Sequence, residues 1–285
     1  QTCALPIYPH LAARCRPLLD QQWLVTIDET TATCPSLFGD PAQLPAHSAD
    51  PGAAMCIQFT SGTTARPKAA LYTHANILWA ARASATHTQI TDTDTFFVFM
   101  PLFHTAALLW HFMATFWAGG TVVLAPKYSA SRFWDISVAH RCTQTMPLGI
   151  TFATLGNQPV PNHHYRLWQF AVEFPPLEDQ YRVRMIGAWG MTEVLTNVVV
   201  GSVAQAADAG SIGPVSPEYQ VRITDEDGND LPIGSAGELR VFGIRGLSLF
   251  AEYHGDTRAT ADAFDDAGYF RTDRKSTRLN SSHRT

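Results

Sequence analysis

A stretch of thirty residues without a charged side chain, Phe96–Ala125, limits most strongly how this chain can fold. The stretch is longer than a membrane-spanning helix needs to be. However, Pro101 and the Gly119-Gly120 pair divide it, and both of its ends are rich in aromatic or β-branched residues. The pattern therefore predicts a strand, a loop, a buried helix, a glycine turn and a second strand, with a membrane span as the alternative.

The apolar runs of the chain predict an α/β fold. Runs near residues 57, 98 and 123 have the composition of strands, and helical segments separate them. The first helix is predicted at Ile77–His87, with Thr73 as a candidate N-cap. This alternation indicates a buried, mostly parallel sheet with helices. After Trp189, short alternating runs between turn residues predict a smaller antiparallel, barrel-like β subdomain.

Composition and charge narrow the classes of function. Hydrophobic residues make up 46% of the 285 residues and charged residues 16%, which favours a folded core over disorder. The formal net charge of −5 gives no basic footprint for nucleic acid. The five cysteines lack C-x-x-C spacing, so that neither a zinc site nor a disulfide framework is indicated, and a reducing, cytoplasmic location fits best.

Both ends of the sequence have a feature that is typical of a sequencing artefact. Codons for Gln1–Ile7 and Asp273–Leu279 can be reverse complements of each other throughout, and the string resembles a translated library adapter. We therefore expect residues 1–7 and 273–285 to be adapter-derived, and the natural sequence to run from about Tyr8 to Thr272. Two ordinary polar tails are the alternative.

A run of small hydroxyl residues follows the predicted strand near residue 57. It comprises Thr60, Ser61, Gly62, Thr63 and Thr64, and Lys68 follows shortly after. N–H and hydroxyl groups around a glycine can converge on one anion and a lysine adds positive charge, as a polyphosphate requires. A polar turn is the alternative. The G-x-x-x-x-G-K-[ST] phosphate loop is excluded, because Pro67 precedes the lysine and Ala69 follows it.

A second motif lies about 125 residues downstream, after a predicted strand at Val183–Ile186. Its residues are Trp189, Gly190, Met191, Thr192 and Glu193. An indole face suits a flat base, a hydroxyl is a neutral donor to an anion, and a carboxylate is a hard ligand for a hard cation. The alternatives are a core aromatic for Trp189 and a carboxylate at a helix start for Glu193.

The two motifs together resemble those of the adenylate-forming, AMP-binding superfamily, of the acyl-CoA synthetase type. The order T-S-G-T-T-x-x-P-K resembles its signature loop, although Ala65 stands where the family usually has glycine, and W-G-M-T-E resembles its aromatic-G-M-T-E segment. Within the superfamily, S-G-T-T-A-R-P-K and the segment Pro126–Trp134 look most like the crotonobetaine or carnitine CoA ligase group.

The resemblance implies a set of site residues and substrates. ATP, Mg²⁺, CoA and a small-molecule carboxylic acid would be used, with no nucleic acid partner. Lys68 and Thr192 would contact phosphates together with the loop Thr60–Thr64, and Glu193 would hold magnesium. Trp189, Gly190 and Met191 would contact the nucleotide. His104, in an M-P-L-F-H segment, would lie beside the acyl site, and Asp273 is a candidate for the ribose hydroxyls.

The resemblance also implies a domain organisation. Residues 8–190 would form the α/β part of one large domain that is incomplete at its N-terminus, and residues 191–272 its β-rich subdomain. A mobile C-terminal cap domain, which supplies a lysine for adenylation in the family, would lie beyond Thr272 and be missing. We therefore expect the fragment itself not to form a thioester. The small glycine-rich segment that touches adenine in the family is not recognisable between Leu167 and Gly187.

Three functions stay open at this point. The first is an ATP-dependent acid–thiol ligase that makes an acyl adenylate and then a CoA thioester. The second is an adenylation domain that activates an amino acid for a carrier-protein thiol; such domains usually place an aspartate at the acyl site, and Pro101–Trp110 contains no carboxylate. The third is a nucleotide-binding fragment without catalysis.

Overall fold

The computed structural model describes residues 50–60 and 67–277, and the elements below belong to the compact unit Gly52–Thr285. The strands of the described residues are β1 (Ala54–Phe59), β2 (Ala69–Thr73), β3 (Thr95–Val98), β4 (Thr121–Leu124), β5 (Gln144–Thr145), β6 (Leu167–Phe170), β7 (Arg184–Trp189), β8 (Val199–Val200), β9 (Gln220–Thr224), β10 (Ala236–Phe242), β11 (Glu252–Tyr253) and β12 (Phe270–Thr277). The helices are α1 (His74–His87), α2 (Ala106–Met113), α3 (Ala114–Trp117), α4 (Phe133–Ala139), α5 (Gly149–Leu155), α6 (Pro175–Tyr181) and α7 (Thr257–Asp262). Helix α2 has π-helical geometry and continues directly as α3.

The strands form three sheets. The largest has the order β4-β3-β5-β6-β7-β8, in which β4 to β7 pair in parallel and β8 pairs antiparallel with β7. The other two are antiparallel, with the orders β1-β2-β11 and β12-β10-β9. An α/β fold with a parallel-rich sheet and smaller antiparallel sheets is thereby confirmed. The domain limits at residues 190 and 272 stay a prediction, since β8 and β11 join sheets formed by earlier strands.

The charge-free stretch folds as its pattern predicts. It contains β3, a loop, the buried helix α2 with α3, a turn at Gly119-Gly120 and β4. Gly119 has a φ of +78°, and a Cβ on Gly120 would lie 2.9 Å from the carbonyl oxygens of Thr91 and Asp94, so the turn requires both glycines. Nowhere in residues 50–60 and 67–277 is a helix both long and apolar enough to cross a bilayer.

The strand near residue 57 lies in a different sheet from the one expected. The sequence placed it with the strands near 98 and 123, and that placement is wrong: β3 and β4 are parallel neighbours, whereas β1 pairs antiparallel with β2. The chain direction reverses between these two strands, and the Thr60 amide donates to the carbonyl of Lys68 at 2.9 Å beside them. Strand β2, which sequence analysis did not predict, then enters α1 directly.

Helix α1 begins at His74 and has the predicted N-cap. The Thr73 hydroxyl accepts a hydrogen bond from the Asn76 amide at 3.0 Å, and the Asn76 side-chain oxygen accepts one from the Thr73 amide at 3.0 Å. These reciprocal bonds satisfy two donors that the helix start would otherwise leave unpaired. The cap fixes the direction in which the chain leaves β2.

Hydrogen bonds to a buried carboxylate link the starts of β3, β5 and β6. Asp94 accepts hydrogen bonds from the guanidinium of Arg166 at 2.6 and 2.8 Å, from the Thr143 hydroxyl at 2.6 Å and from the Thr91 amide at 2.9 Å. Burial raises the pKa of Asp94, but these donors outweigh burial and lower it to about 2. The ionised form of Asp94 therefore stabilises the folded sheet.

We expect Asp94→Asn to lower the free energy of unfolding by about 2 kcal/mol at neutral pH, because it removes the anion that accepts the hydrogen bonds of the partly exposed Arg166. An unfolded aspartate titrates near pH 3.9. The stabilisation by Asp94 is thus complete above about pH 4 and is lost as the pH falls toward the folded pKa of about 2. Urea unfolding at pH 7, 4 and 3 measures this loss. Asp92→Asn, an exposed change in the same turn, is the control, and an Asp94→Asn effect that does not depend on pH would contradict the role of the charge.

Candidate active site

A cleft of about 540 Å³ contains every predicted site residue that the structure describes. These residues are Thr60, Lys68, His104, Trp189, Gly190, Met191, Thr192, Glu193 and Asp273. Ser61, Gly62, Thr63, Thr64 and Ala65 lie outside the described residues. The cleft thus brings together segments that are separated by more than two hundred positions in the sequence.

The two ends of the hydroxyl-rich loop are fixed at the edge of the β1–β2 pair. Besides the backbone bond already described, the Lys68 amide donates to the Thr60 hydroxyl at 3.3 Å. Thr60 is buried, whereas the Lys68 side chain is exposed and its Nζ lies 4.8 Å from the centre of the Tyr253 ring. An ammonium over an aromatic face is attracted by the ring quadrupole. The lysine charge is therefore held at the cleft wall.

Backbone packing limits position 190 to glycine. Gly190 directly follows β7, and a Cβ there would lie 2.4 Å from the carbonyl oxygen of Thr196 and 2.7 Å from a ring carbon of Trp110. The neighbouring Trp189 carbonyl accepts from the Val198 amide at 2.9 Å. These contacts turn the chain so that partly buried Trp189 and Met191 both line the cleft.

Four consecutive carbonyls after this turn accept hydrogen bonds from distant parts of the chain. The hydroxyl of Tyr72 donates to Thr192 O at 2.6 Å, and the Phe250 amide donates to Glu193 O at 2.9 Å. The Tyr219 hydroxyl donates to Val194 O, and Trp110 Nε1 donates to Leu195 O at 2.8 Å. Sequence analysis missed these donors, since an aromatic residue in a sequence does not reveal where its polar tip binds.

Leu195 has an unusual backbone conformation at this site. Its φ is +63° and its ψ is −46°, and the Thr196 amide donates to Val194 O at 2.7 Å across it. This is a γ-turn of the strained hand, centred on a fully buried leucine. The hydrogen bonds on either side hold the turn in place.

Glu193 is a buried carboxylate that faces the cleft. It is 4% exposed, and its Oε1 accepts a hydrogen bond from the Tyr253 hydroxyl at 2.8 Å. Burial raises its pKa, while the Tyr253 hydrogen bond and the positive charges of Lys68 and Arg274 oppose that rise. Burial and the adjacent carboxylate also raise the pKa of Tyr253, so that its hydroxyl keeps the proton.

The surroundings of Glu193 fit a divalent cation that brings most of its own ligands. Among the side chains described for residues 50–60 and 67–274, no lysine, arginine or histidine forms an ion pair with Glu193, and no group of three or more potential metal ligands occurs. A buried carboxylate without a paired cation is costly. Magnesium often binds through one or two carboxylates and completes its shell with water and phosphate oxygens.

His104 lies in the cleft at the approach to α2. Its Nδ1 accepts a hydrogen bond from the Ala106 amide at 3.3 Å, so the neutral ring carries its proton on Nε2. Partial desolvation lowers its pKa. Thr105 and Trp110 line the same wall, and no carboxylate occurs between Pro101 and Trp110. This wall is therefore neutral and partly aromatic.

Asp273 lies in the cleft as an exposed residue with a φ of +54°. It is part of β12, which continues to Thr277 by pairing with Ala236 in β10. The strand therefore does not end at residue 272, the last residue before the adapter-like segment that we expect from the sequence. The origin of the terminal segment stays a prediction.

The comparisons with known proteins agree with this geometry. The chain matches the family described as AMP-binding enzyme over residues 10–254. It is 35% identical over 225 residues to a crotonobetaine/carnitine–CoA ligase of Salmonella paratyphi C. This alignment covers 76% of this chain and 44% of the relative. The chain thus spans less than half the length of the curated relatives it matches.

Solved structures show the same fold. ATP-bound MatB from Rhodopseudomonas palustris superposes with a TM-score of 0.69 at 25% identity, over 78% of this chain and 45% of that one. The inhibitor-bound N-terminal domain of FACL13 from Mycobacterium tuberculosis has a TM-score of 0.73 at 25% identity, over 82% of this chain and 60% of that one. With the family match covering most of its residues, this chain belongs to the AMP-binding enzyme family.

Proposed function

We propose that this chain supplies the nucleotide- and acid-binding cleft of an AMP-forming acid–thiol ligase, an acyl-CoA synthetase. The observation that carries the proposal is the meeting of Lys68, Trp189 and Glu193 in one cleft. The names of its relatives support this reading, since one is a CoA ligase and a structural neighbour binds ATP. A reducing, cytoplasmic setting fits the buried thiol of Cys142.

In the proposed reaction a carboxylate oxygen attacks the α-phosphorus of ATP, and pyrophosphate leaves. The CoA thiolate then attacks the acyl carbon of the resulting acyl adenylate, and AMP leaves. A free carboxylate is a poor acyl donor because oxide leaves badly, whereas AMP is a good leaving group. The protein contributes positioning and charge neutralisation.

Each residue of the cleft has a proposed task. Lys68, Thr192 and the loop from Thr60 contact the phosphates, and Trp189 stacks on the base beside Gly190 and Met191. Glu193 holds magnesium, which when bound offsets the negative charge of the phosphates. His104 orients the acid, and Asp273 is the proposed partner of the ribose hydroxyls.

The neutral wall around His104 favours an acid without an amino group. An amino acid substrate brings an ammonium that needs a carboxylate partner. The residues His104, Thr105, Ala106 and Trp110 that form this wall offer none. We therefore propose an acyl acid and CoA, rather than an amino acid and a carrier-protein thiol.

We expect Glu193→Gln to reduce acid-dependent ATP–pyrophosphate exchange about 100-fold or more in a full-length protein that contains this chain. The amide keeps the size of the side chain but removes the charge that holds the cation. Glu226→Gln, an exposed change in the turn after β9, is the matched control. Exchange that survives Glu193→Gln would remove the metal role from Glu193, and exchange that depends on amino acids alone would favour the carrier-protein alternative.

We expect Gly190→Ala to weaken ATP binding by at least tenfold. The new methyl group would overlap Thr196 O and the Trp110 ring, and relieving the overlap displaces Trp189 from the base. Isothermal titration calorimetry measures the affinity. Gly149→Ala at the start of α5 is the control, because its Cβ meets nothing within 4 Å. Unchanged affinity in Gly190→Ala would show that this turn does not set the nucleotide site.

A further inference from the structure

Tyr253 lies between the two charged groups of the cleft. It ends the short strand β11, where it is paired with Ala70 of β2. Ala70 is two residues from Lys68, so the strand pairing places the tyrosine beside the lysine. The side chain is 3% exposed, and its ring also packs on Phe250 with the centroids 4.6 Å apart. Packing and strand pairing therefore fix the direction of this ring.

Different parts of the Tyr253 side chain contact the two groups. The face of the ring lies 4.8 Å from Lys68 Nζ, and the hydroxyl donates to Glu193 Oε1 at 2.8 Å. The ring face attracts a cation and the hydroxyl hydrogen attracts an anion. One side chain thus holds two opposite charges by two separate contacts.

Among the ion pairs of the described residues, none joins Lys68 to Glu193. Opposite charges this close to a common neighbour would otherwise attract each other, and a direct pair would occupy the groups that phosphates and a cation need. The ring holds the ammonium on its face, while the hydroxyl engages a single carboxylate oxygen. Tyr253 therefore contacts the carboxylate through Oε1 alone.

We propose that Tyr253 is a positioning residue of the nucleotide site, which keeps Lys68 and Glu193 oriented and apart so that phosphates and a divalent cation bind together. The inference rests on the proposed function, because that function assigns Lys68 to phosphate and Glu193 to magnesium. The hydroxyl acts on the cation through Glu193, and the ring acts on the phosphates through Lys68. The two contributions can therefore be separated by substitution.

The test measures the affinity of the 285-residue chain for ATP by isothermal titration calorimetry. The titration is repeated at a series of MgCl₂ concentrations and in excess EDTA. Tyr253→Phe keeps the ring and removes the hydroxyl. We expect it to raise the MgCl₂ concentration for half-maximal ATP binding about tenfold, while affinity in EDTA stays unchanged. Tyr253→Leu removes both contacts, and we expect it to weaken ATP binding in EDTA as well.

Two further variants sharpen the result. Tyr269→Phe is the matched control, because the Tyr269 hydroxyl faces Gln220 at 3.4 Å and does not line the cleft. Glu193→Gln combined with Tyr253→Phe completes a double-mutant cycle. If the hydroxyl acts through Glu193, adding Tyr253→Phe to Glu193→Gln changes the MgCl₂ dependence no further.

The outcomes separate this inference from the proposed function. If the parent chain binds ATP in a magnesium-dependent manner and Tyr253→Phe matches it at every MgCl₂ concentration, the positioning role is overturned and the proposed function stands. An equal loss in MgCl₂ and in EDTA for Tyr253→Phe also overturns it, since general structural damage would act on both. A parent chain that binds no ATP overturns the proposed function and this inference together.

Discussion

The hydrogen bonds to the four carbonyls of residues 192–195 are the constraint on which the cleft depends. A buried carbonyl without a donor costs free energy comparable to a lost hydrogen bond, on the order of 1–3 kcal/mol. Their donors belong to Tyr72, Trp110, Tyr219 and Phe250, which lie far apart in the sequence. Amides within the segment also donate to Thr192 O and Val194 O, whereas Glu193 O and Leu195 O gain their donors when Phe250 and Trp110 have assembled around the segment. Glu193 therefore reaches the cleft as a consequence of the whole fold.

Two of the same hydrogen bonds also offset the backbone strain at Leu195. A non-glycine residue at a φ of +63° is disfavoured by roughly 1–3 kcal/mol. The bonds from Tyr219 to Val194 O and from Trp110 to Leu195 O lie directly on either side of the turn and outweigh that cost. The strained turn reverses the chain within three residues, so that Glu193 and Val198 occupy opposite ends of a short, buried segment.

Sequence patterns predicted which motif residues line the cleft, but they assigned β1 to the wrong sheet. Lys68 and Trp189–Glu193 lie in contiguous motifs, and the cap at Thr73 has a local signature, so neither needs knowledge of the fold. The sheet to which β1 belongs depends on a chain reversal, which the alternation of residues within a strand does not encode. The parallel sheet was predictable from the apolar run around β3, because both faces of such a strand are buried, whereas β4 lies at the edge of the sheet and is only partly buried.

The contacts of buried aromatic residues are also beyond what the sequence predicts. Tyr72, Trp110 and Tyr219 are indistinguishable in sequence from ordinary core residues, and only the fold reveals which carbonyl each one meets. His111 is a comparable case: it is fully buried, stacked on Phe96 and bonded to Gln169, and burial lowers its pKa to about 3. It is therefore a neutral member of the core, whereas His104, only seven residues earlier, faces the cleft.

A short relay of hydroxyl groups joins the two sides of the cleft. Because Tyr72 gives its only hydroxyl proton to Thr192 O, the contact of 3.0 Å with Thr105 must be donated by the threonine. Thr105 is adjacent to His104, and Thr192 is adjacent to Glu193, so this relay fixes the His104 wall relative to the segment that carries Glu193. Trp110, on the same wall, donates to Leu195 O, so Thr105 and Trp110 both take part in holding the segment that carries Glu193.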